Sequence, residues 1–210
     1  MNNTIVIDPP VKGQWAILNP PGHPKLAFDF LAVKDSKWPY ELKRLIPHVL
    51  ATIPVRATYA WGKPVFAPLD GTVVAYSDGN PDRERTGMIR DLIRLLLFRP
   101  KPGSPFSAYG GNYVILKCGD VYPLFAHLRN GSVRVRAGDT VRAGEELGEV
   151  GNSGASLQPH LHFQIMSSAD PFPLFHNLLP FALRTVRKRI GEQWQQTPNA
   201  VLKNGDHLLL

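Results

Sequence analysis

Residues 62–74, GKPVFAPLDGTVV, and residues 138–150, GDTVRAGEELGEV, share one pattern: Gly, two residues, Val, one residue, Ala, then a return to Gly-x-Val after a short turn. The second copy is one residue longer. Glycine supplies the positive φ that tight turns need, and valine suits a half-buried strand. Each copy therefore reads as strand, turn, strand, although common hairpin chemistry can produce the same echo. A chain of 210 residues holds one domain with embellishments, or at most two small ones. Its 43% hydrophobic residues suffice for a core, and 20 prolines with 18 glycines favour a turn-rich, mostly β chain.

A second stretch, SLQPHLHFQI (156–165), places His160 and His162 at alternate positions of a predicted strand. Alternation sends both imidazoles to one face and Leu161 and Phe163 to the other. Pro159 suits the first position of a strand, where no ladder N–H is needed. One face is greasy; the other carries two metal ligands or proton carriers, or two solvated surface histidines. Between the repeats, GNYVILKCGDVYPLFAHLRNGSVRV (111–135) reads as two strands around a CGD turn. His127 near the end of the second follows Phe125 and Ala126, a setting where imidazole is hydrogen-bonded or functional. Cys118 is the only cysteine, so no internal disulfide forms, and it reads as a small buried strand residue.

The formal net charge of +7 favours anionic surroundings. No helix-turn-helix, zinc-finger or RNP-like pattern accompanies it, so nucleic acid is not the expected partner. MNNTIVIDPPVKGQW lacks the parts of a signal peptide, and no stretch approaches the ~18 apolar residues of a membrane span. The expectation is a chain without a leader, cytoplasmic or non-classically exported. No feature sets an oligomeric state.

FAHL (125–128), V-x-A-G-D-x-V-x-A-G (135–144) and GNSGASLQPHLHFQI (151–165) together resemble the LytM/lysostaphin-type zinc metallopeptidases, the M23 family. That family carries YAHL, a V-x-x-G-D-x-V-x-x-G turn and a G-x-(S/T)-G…PHLHF run, and the first repeat matches its G-T-P-V-x-A-P-x-D-G-x-V. The resemblance implies a mainly β fold: an antiparallel sheet with a barrel-sandwich hybrid-like core and short helical additions. It also implies a histidine and an aspartate upstream. In GHPKLAFDFLAV (22–33) these are His23 and Asp29, six apart where the family commonly has four. Asp29 lies between Phe28 and Phe30, and a carboxylate in such a setting needs a partner or a metal. His48 is the rival to His23, but it follows the aspartate in a predicted helix. His176 and His207 lie outside every motif and read as surface histidines.

Carried over position by position, the resemblance makes His23, Asp29 and His162 ligands of one Zn²⁺, and His127 and His160 catalytic. The implied activity is hydrolysis of a peptide bond, in peptidoglycan or a related peptide, by metal-activated water. A non-catalytic binding or activator module is the alternative; such relatives lack some of the five residues, whereas this chain has a candidate for each. A phosphocarrier with paired histidines would use His127 and His160 but leave Asp29 and His162 without a role.

The chain reads as one M23-like domain over 1–210, interrupted by insertions at about 34–61 and 77–110 that could wall a groove. The second contains TGMIRDLIRLLLFRPKPG, in which Met88, Leu92, Leu95 and Ile89, Ile93, Leu96 fall at helical spacing, with Arg90, Asp91 and Arg94 on the other side. The preferred reading packs this stripe against the protein's own core, leaving Arg90 and Arg94 to solvent or substrate. Peripheral contact with an anionic membrane surface is the alternative. The tail, about 173–196, with Arg184, Arg187, Lys188 and Arg189, reads as a helical extension with a basic end.

Overall fold

The strand predicted around PHLHFQI forms as β12, and its two faces explain how the rest of the chain assembles. The computed structural model describes residues 4–19, 23–35, 38–174 and 176–210. Gly22, which opens the segment carrying His23 and Asp29, lies outside them. Strands β1 (Ile5–Ile7), β2 (Gln14–Leu18) and β3 (Ala27–Ala32) precede helix α1 (Leu45–Leu50). Strands β4 (Ile53–Pro54), β5 (Pro64–Phe66), β6 (Gly71–Ser77) and β7 (Arg85–Thr86) lead to α2 (Met88–Leu96) and α3 (Ser107–Gly110). Then come β8 (Asn112–Lys117), β9 (Tyr122–Leu128), β10 (Thr140–Val141), β11 (Glu146–Glu149), β12 (Leu161–Met166), β13 (Phe181–Ile190), β14 (Gln193–Val201) and β15 (His207–Leu209).

The main sheet runs β1-β13-β15-β2-β3-β12-β9-β8-β6-β10, with β14 paired to β13. Its pairings are antiparallel except β1 with β13, which is parallel. β12 lies between β3 and β9 and is buried along its whole length. Leu161, Phe163 and Ile165 enter the main core cluster, where Phe163 meets Phe30, Phe125 and Phe181 at ring-centroid distances of 6.2, 5.2 and 5.2 Å. Burying one such side chain contributes about 1.5–3 kcal/mol. The opposite face of β12 carries His162 and Gln164. The histidines are thus buried beside a cleft rather than solvated on a surface.

The two repeats pair with each other rather than folding as separate hairpins. β5 of the first joins β11 of the second, and β6 of the first joins β10 of the second. The flanking bonds are matched: Gly62 N–H donates to Val150 O and Gly138 N–H to Val73 O, both at 2.8 Å. Their counterparts, Val150 N–H to Lys63 O and Val73 N–H to Asp139 O, are also 2.8 Å. This exchange gives the repeat a local pseudo-twofold relation.

The C-terminal segment corrects the expectation of a helix. Residues 181–201 form the antiparallel hairpin β13–β14, with Ile190 opposite Gln193 across a two-residue turn. Gly191 takes φ 62° there, a conformation that costs a residue without Cβ little. Thr185, Val186 and Ile190 are β-branched and favour a strand. Arg184 and Lys188 lie along it in ion pairs with Asp8 and Asp206, both at 2.7 Å. The basic run lies on a half-exposed strand, not at a helix end.

The helix predicted in the second insertion forms, but with its faces reversed. Asp91 is fully buried, while Leu92 and Leu96 are 46% and 62% exposed. Periodicity groups residues onto a face; it does not decide which face packs inward. Here a polar network wins the inner side: Asp91 accepts from its own N-cap amide, Gly87 N–H, at 2.9 Å and pairs with Arg90 and Arg94. The two insertions join each other through the β4–β7 ladder and contact between α1 and α2. Among the described residues, no helix is long and apolar enough to cross a membrane.

Candidate active site

Asp29 and His162 face each other directly across the β3–β12 ladder. Phe28 and Phe30 enter the main core, so alternation turns Asp29 to the side where His162 stands. His162 Nδ1 lies 3.0 Å from Asp29 Oδ1 and 3.2 Å from His23 Nε2, and His23 Nε2 lies 3.5 Å from Asp29 Oδ1. These atoms form a group that can hold a metal ion. A tetrahedral zinc with bonds of about 2.0–2.1 Å separates its donors by about 3.3 Å, so the spacing fits. The outer nitrogens are engaged as well. His162 Nε2 meets Gln164 Oε1 at 3.1 Å, and the backbone at Ala27 hydrogen-bonds His23. With Nε2–H donating to Gln164, His162 keeps a lone pair on Nδ1 for the cluster.

His160 and His127 complete the cleft. His160 Nδ1 lies 2.7 Å from the Gln158 carbonyl, which needs an N–H donor, so its Nε2 points inward, 3.4 Å from Asp29 Oδ1. His127 Nδ1 is likewise held by the Ser153 carbonyl at 2.9 Å. The two rings lie 4.8 Å apart.

His127 reaches this place through a break in its strand. Phe125 enters the main core cluster and Ala126 the second one, so strict alternation would return residue 127 to the main core. Instead its φ is 63°, and the β8–β9 register shifts between Asn112 and Val114. The irregularity re-aims the imidazole onto the face of Ala126 and His162. Histidine is among the residues that tolerate this backbone region better than most.

Burial alone would push the Asp29 carboxyl up, but the charge of His160 and hydrogen bonds from His160 and His162 hold it well below the usual carboxylate range. Burial, then the neighbouring His160 and His162, holds His127 well below its ordinary value. Burial opposes charge on His160 too, yet Asp29 raises it overall. His23 is lowered, chiefly by burial.

The loop leading into His160 is held from outside by Arg83, which carries no sequence signal, and by Arg94, which the sequence leaves to solvent or substrate. Ser156 O accepts from Arg83 Nη2 at 2.6 Å and from Arg94 of α2; Ser156 Oγ lies 3.2 Å from His160 Nδ1. Arg83 also donates to Gly154 O and Asn152 Oδ1, at 2.8 and 3.0 Å. Burial, then nearby Arg94, pulls this guanidinium down to about 10. At Gly154 a Cβ would collide with the Gly111 amide and the Tyr109 carbonyl, so only glycine permits that approach. Gln164 had a readable signal, since it continues the period-two series from His160 and His162. The arginine network had none. Asp91→Ala would leave the Gly87 amide without its buried acceptor and the partly exposed Arg90 and Arg94 without their anion, and is expected to cost about 1–3 kcal/mol. Urea denaturation of both proteins measures this; a midpoint unchanged by the substitution would contradict the network's role.

A cleft of about 480 Å³ opens over these residues, walled by Leu31, Leu157 and, from the second insertion, Leu95, Phe98 and Tyr109. The second insertion thus walls the groove; among its described residues the first contributes no lining residue. His48, the rival ligand, is elsewhere, buried against Tyr40 with its Nδ1 2.7 Å from the hydroxyl. His176 is exposed and His207 sits on β15. Cys118 is buried as expected, and burial, then Asp70, pushes its thiol up to about 11.

Fold and site define a class: a mainly β protein whose central strands, with the segment before β3, carry a partly buried His/Asp cluster of metal-ligand type. Residues 100–173 match the family model for Peptidase family M23, and the chain resembles the LytM/lysostaphin-type members of that family. The matched segment contains His127, His160 and His162 but not His23 or Asp29. Over 84 residues the chain is 29% identical to peptidoglycan DD-endopeptidase ShyA of Vibrio cholerae, covering 40% of this chain and 19% of that protein. Over 106 residues it is 34% identical to an uncharacterized metalloprotease of Haemophilus influenzae, covering 49% and 16%. The chain therefore matches less than a fifth of the length of these relatives. The crystal structure of the lysostaphin catalytic domain from Staphylococcus simulans aligns over 80% of this chain and 89% of that one, at 21% identity and a TM-score of 0.39.

Proposed function

We propose that this chain is a zinc-dependent endopeptidase that hydrolyses a peptide bond in peptidoglycan or a related peptide. The observation that carries the reading is the convergence of His23, Asp29 and His162 within 3.0–3.5 Å, beside two more imidazoles whose Nε2 atoms face the same cleft. His23 Nε2, Asp29 Oδ1 and His162 Nδ1 would hold the ion. Zinc, when bound, lowers the pKa of water to about 7 and polarises a carbonyl. His127 and His160 each commit Nδ1–H to a backbone carbonyl and present Nε2 to the reacting groups. A neutral ring there accepts a proton from attacking water; an imidazolium donates to the developing oxyanion and then to the leaving amine. The apolar walls orient the peptide and limit water around it. Names of relatives that cleave peptidoglycan, and a net charge of +7 suited to anionic wall polymers, support the substrate class.

The test is digestion of purified peptidoglycan by the zinc-loaded chain, with new free amino groups counted. They are expected to appear, to vanish with a chelator and to return with zinc. Sacculi bound with no new amines at any zinc loading would make the groove a binding module and overturn the enzymatic reading.

A further inference from the structure

The outward stripe of α2 continues onto α1. Leu42, Ile46 and Leu50 are 65–75% exposed, and the four-residue spacing places them on one side of the first insertion's helical stretch. Met88, Ile89, Leu92, Ile93, Leu96 and Leu97 are all exposed on the second insertion. Leu50, Ile89 and Ile93 line a single groove between the two helices, together with Val49, Ala51, Thr52 and Arg90, so the two aliphatic sets adjoin. Soluble proteins rarely leave such a contiguous aliphatic surface open without a use for it. Charge complementarity says what covers it. Within 41–50 and 88–101 the cations are Lys43, Arg44, Arg90, Arg94, Arg99 and Lys101 against two acids: Asp91, fully buried and paired with Arg90 and Arg94, and exposed Glu41, which pairs with Lys43 at 2.7 Å. Lys43, Arg99 and Lys101 are exposed at the margins of the stripe.

We propose that α1 and α2 together form a docking face for an anionic lipid bilayer. Aliphatic side chains enter the boundary between headgroups and acyl chains, about 5–10 Å deep, while flanking cations meet lipid phosphates. Because α2 lends Leu95, and the segment just after it Phe98, to the cleft, docking would hold the cleft close to the lipid surface. The proposal does not depend on the peptidase reading, since lipid binding and hydrolysis are measured separately.

The experiment is co-sedimentation of the purified chain with phosphatidylglycerol vesicles and, in parallel, phosphatidylcholine vesicles. Wild type should pellet with the anionic vesicles only. The triple variant Ile46→Asp, Leu92→Asp, Leu96→Asp should bind at least tenfold less yet melt with wild type, because all three positions are exposed. Lys43→Gln with Arg99→Gln and Lys101→Gln should weaken binding comparably. Four results would overturn the proposal: no pelleting of wild type above the phosphatidylcholine level, undiminished binding by either variant, or loss of folding in the aspartate variant. The fourth is a wild-type dimer in analytical ultracentrifugation that the aspartate variant converts to monomer, which assigns the face to a second copy of the chain.

Discussion

Replacing Asp29 or His162 with Ala is expected to weaken zinc binding steeply and to lower hydrolysis with it. Each residue supplies one of three donor atoms lying 3.0–3.5 Å apart, and neither has a substitute within the cluster. If a site of this kind binds with about 10–16 kcal/mol, losing one ligand of three removes roughly 3–5 kcal/mol, a fall of about a hundredfold to several thousandfold in affinity. Asp29 carries a second burden. It is the anion around which His23, His160 and His162 gather, so Asp29→Ala also leaves three imidazoles, two of them buried, without a carboxylate. Asp29→Asn keeps the shape and isolates the lost charge. Gln164→Ala touches His162 only through its outer nitrogen and should cost ten- to a hundredfold, the range expected for a group that orients a ligand. Competition against a chromophoric chelator at neutral pH ranks the four proteins. His162→Ala holding zinc as tightly as wild type would defeat the ligand assignment.

The parts of this arrangement that were legible in the sequence are those fixed by strand alternation. Phe28–Asp29–Phe30 and Leu161–His162–Phe163 place apolar rings on one face and ligand types on the other whatever the neighbouring strands do. The β3–β12 register then brings them opposite each other. The repeat was legible as strand–turn–strand, but local pattern says nothing about exchange of partners, which depends on contacts between residues 62–74 and 138–150. His127 was readable as a site candidate, whereas the positive φ that aims it was not, because no glycine or asparagine marks the irregularity. The helix over 88–96 was found and its inner face misassigned. Hydrophobicity alone argued for burying Leu92, yet the guanidinium and carbonyl groups around Ser156 give Asp91 and Arg94 better partners inside. The tail failed differently. Its charges alternate loosely with Thr185, Val186 and Ile190, and weighting charge over β-branching turned a hairpin into a helix.

Removing the imidazole at 127 or 160 is expected to separate metal binding from catalysis. His127→Asn and His160→Ala should keep zinc close to the wild-type level, because neither ring supplies an atom to the His23–Asp29–His162 group. Turnover should fall at least a hundredfold, about 2.7 kcal/mol in the barrier, as for loss of one proton-transfer or oxyanion-stabilising group. Asparagine is the better replacement at 127 because the φ of 63° lies where Asn is comfortable and most residues are strained. A folded, zinc-loaded and inactive His127→Asn protein would therefore report on the imidazole rather than on backbone strain. At 160 the neighbouring Ser156 hydroxyl and Gln158 carbonyl lose a partner, so a modest fall in melting temperature accompanies His160→Ala without explaining the rate. Zinc content, melting temperature and turnover measured on the same preparations distinguish the cases. If zinc falls in step with activity in His160→Ala, its Nε2, 3.4 Å from Asp29 Oδ1, belongs among the ligands instead. Activity surviving within tenfold in both variants would leave hydrolysis to the metal and the cleft walls alone.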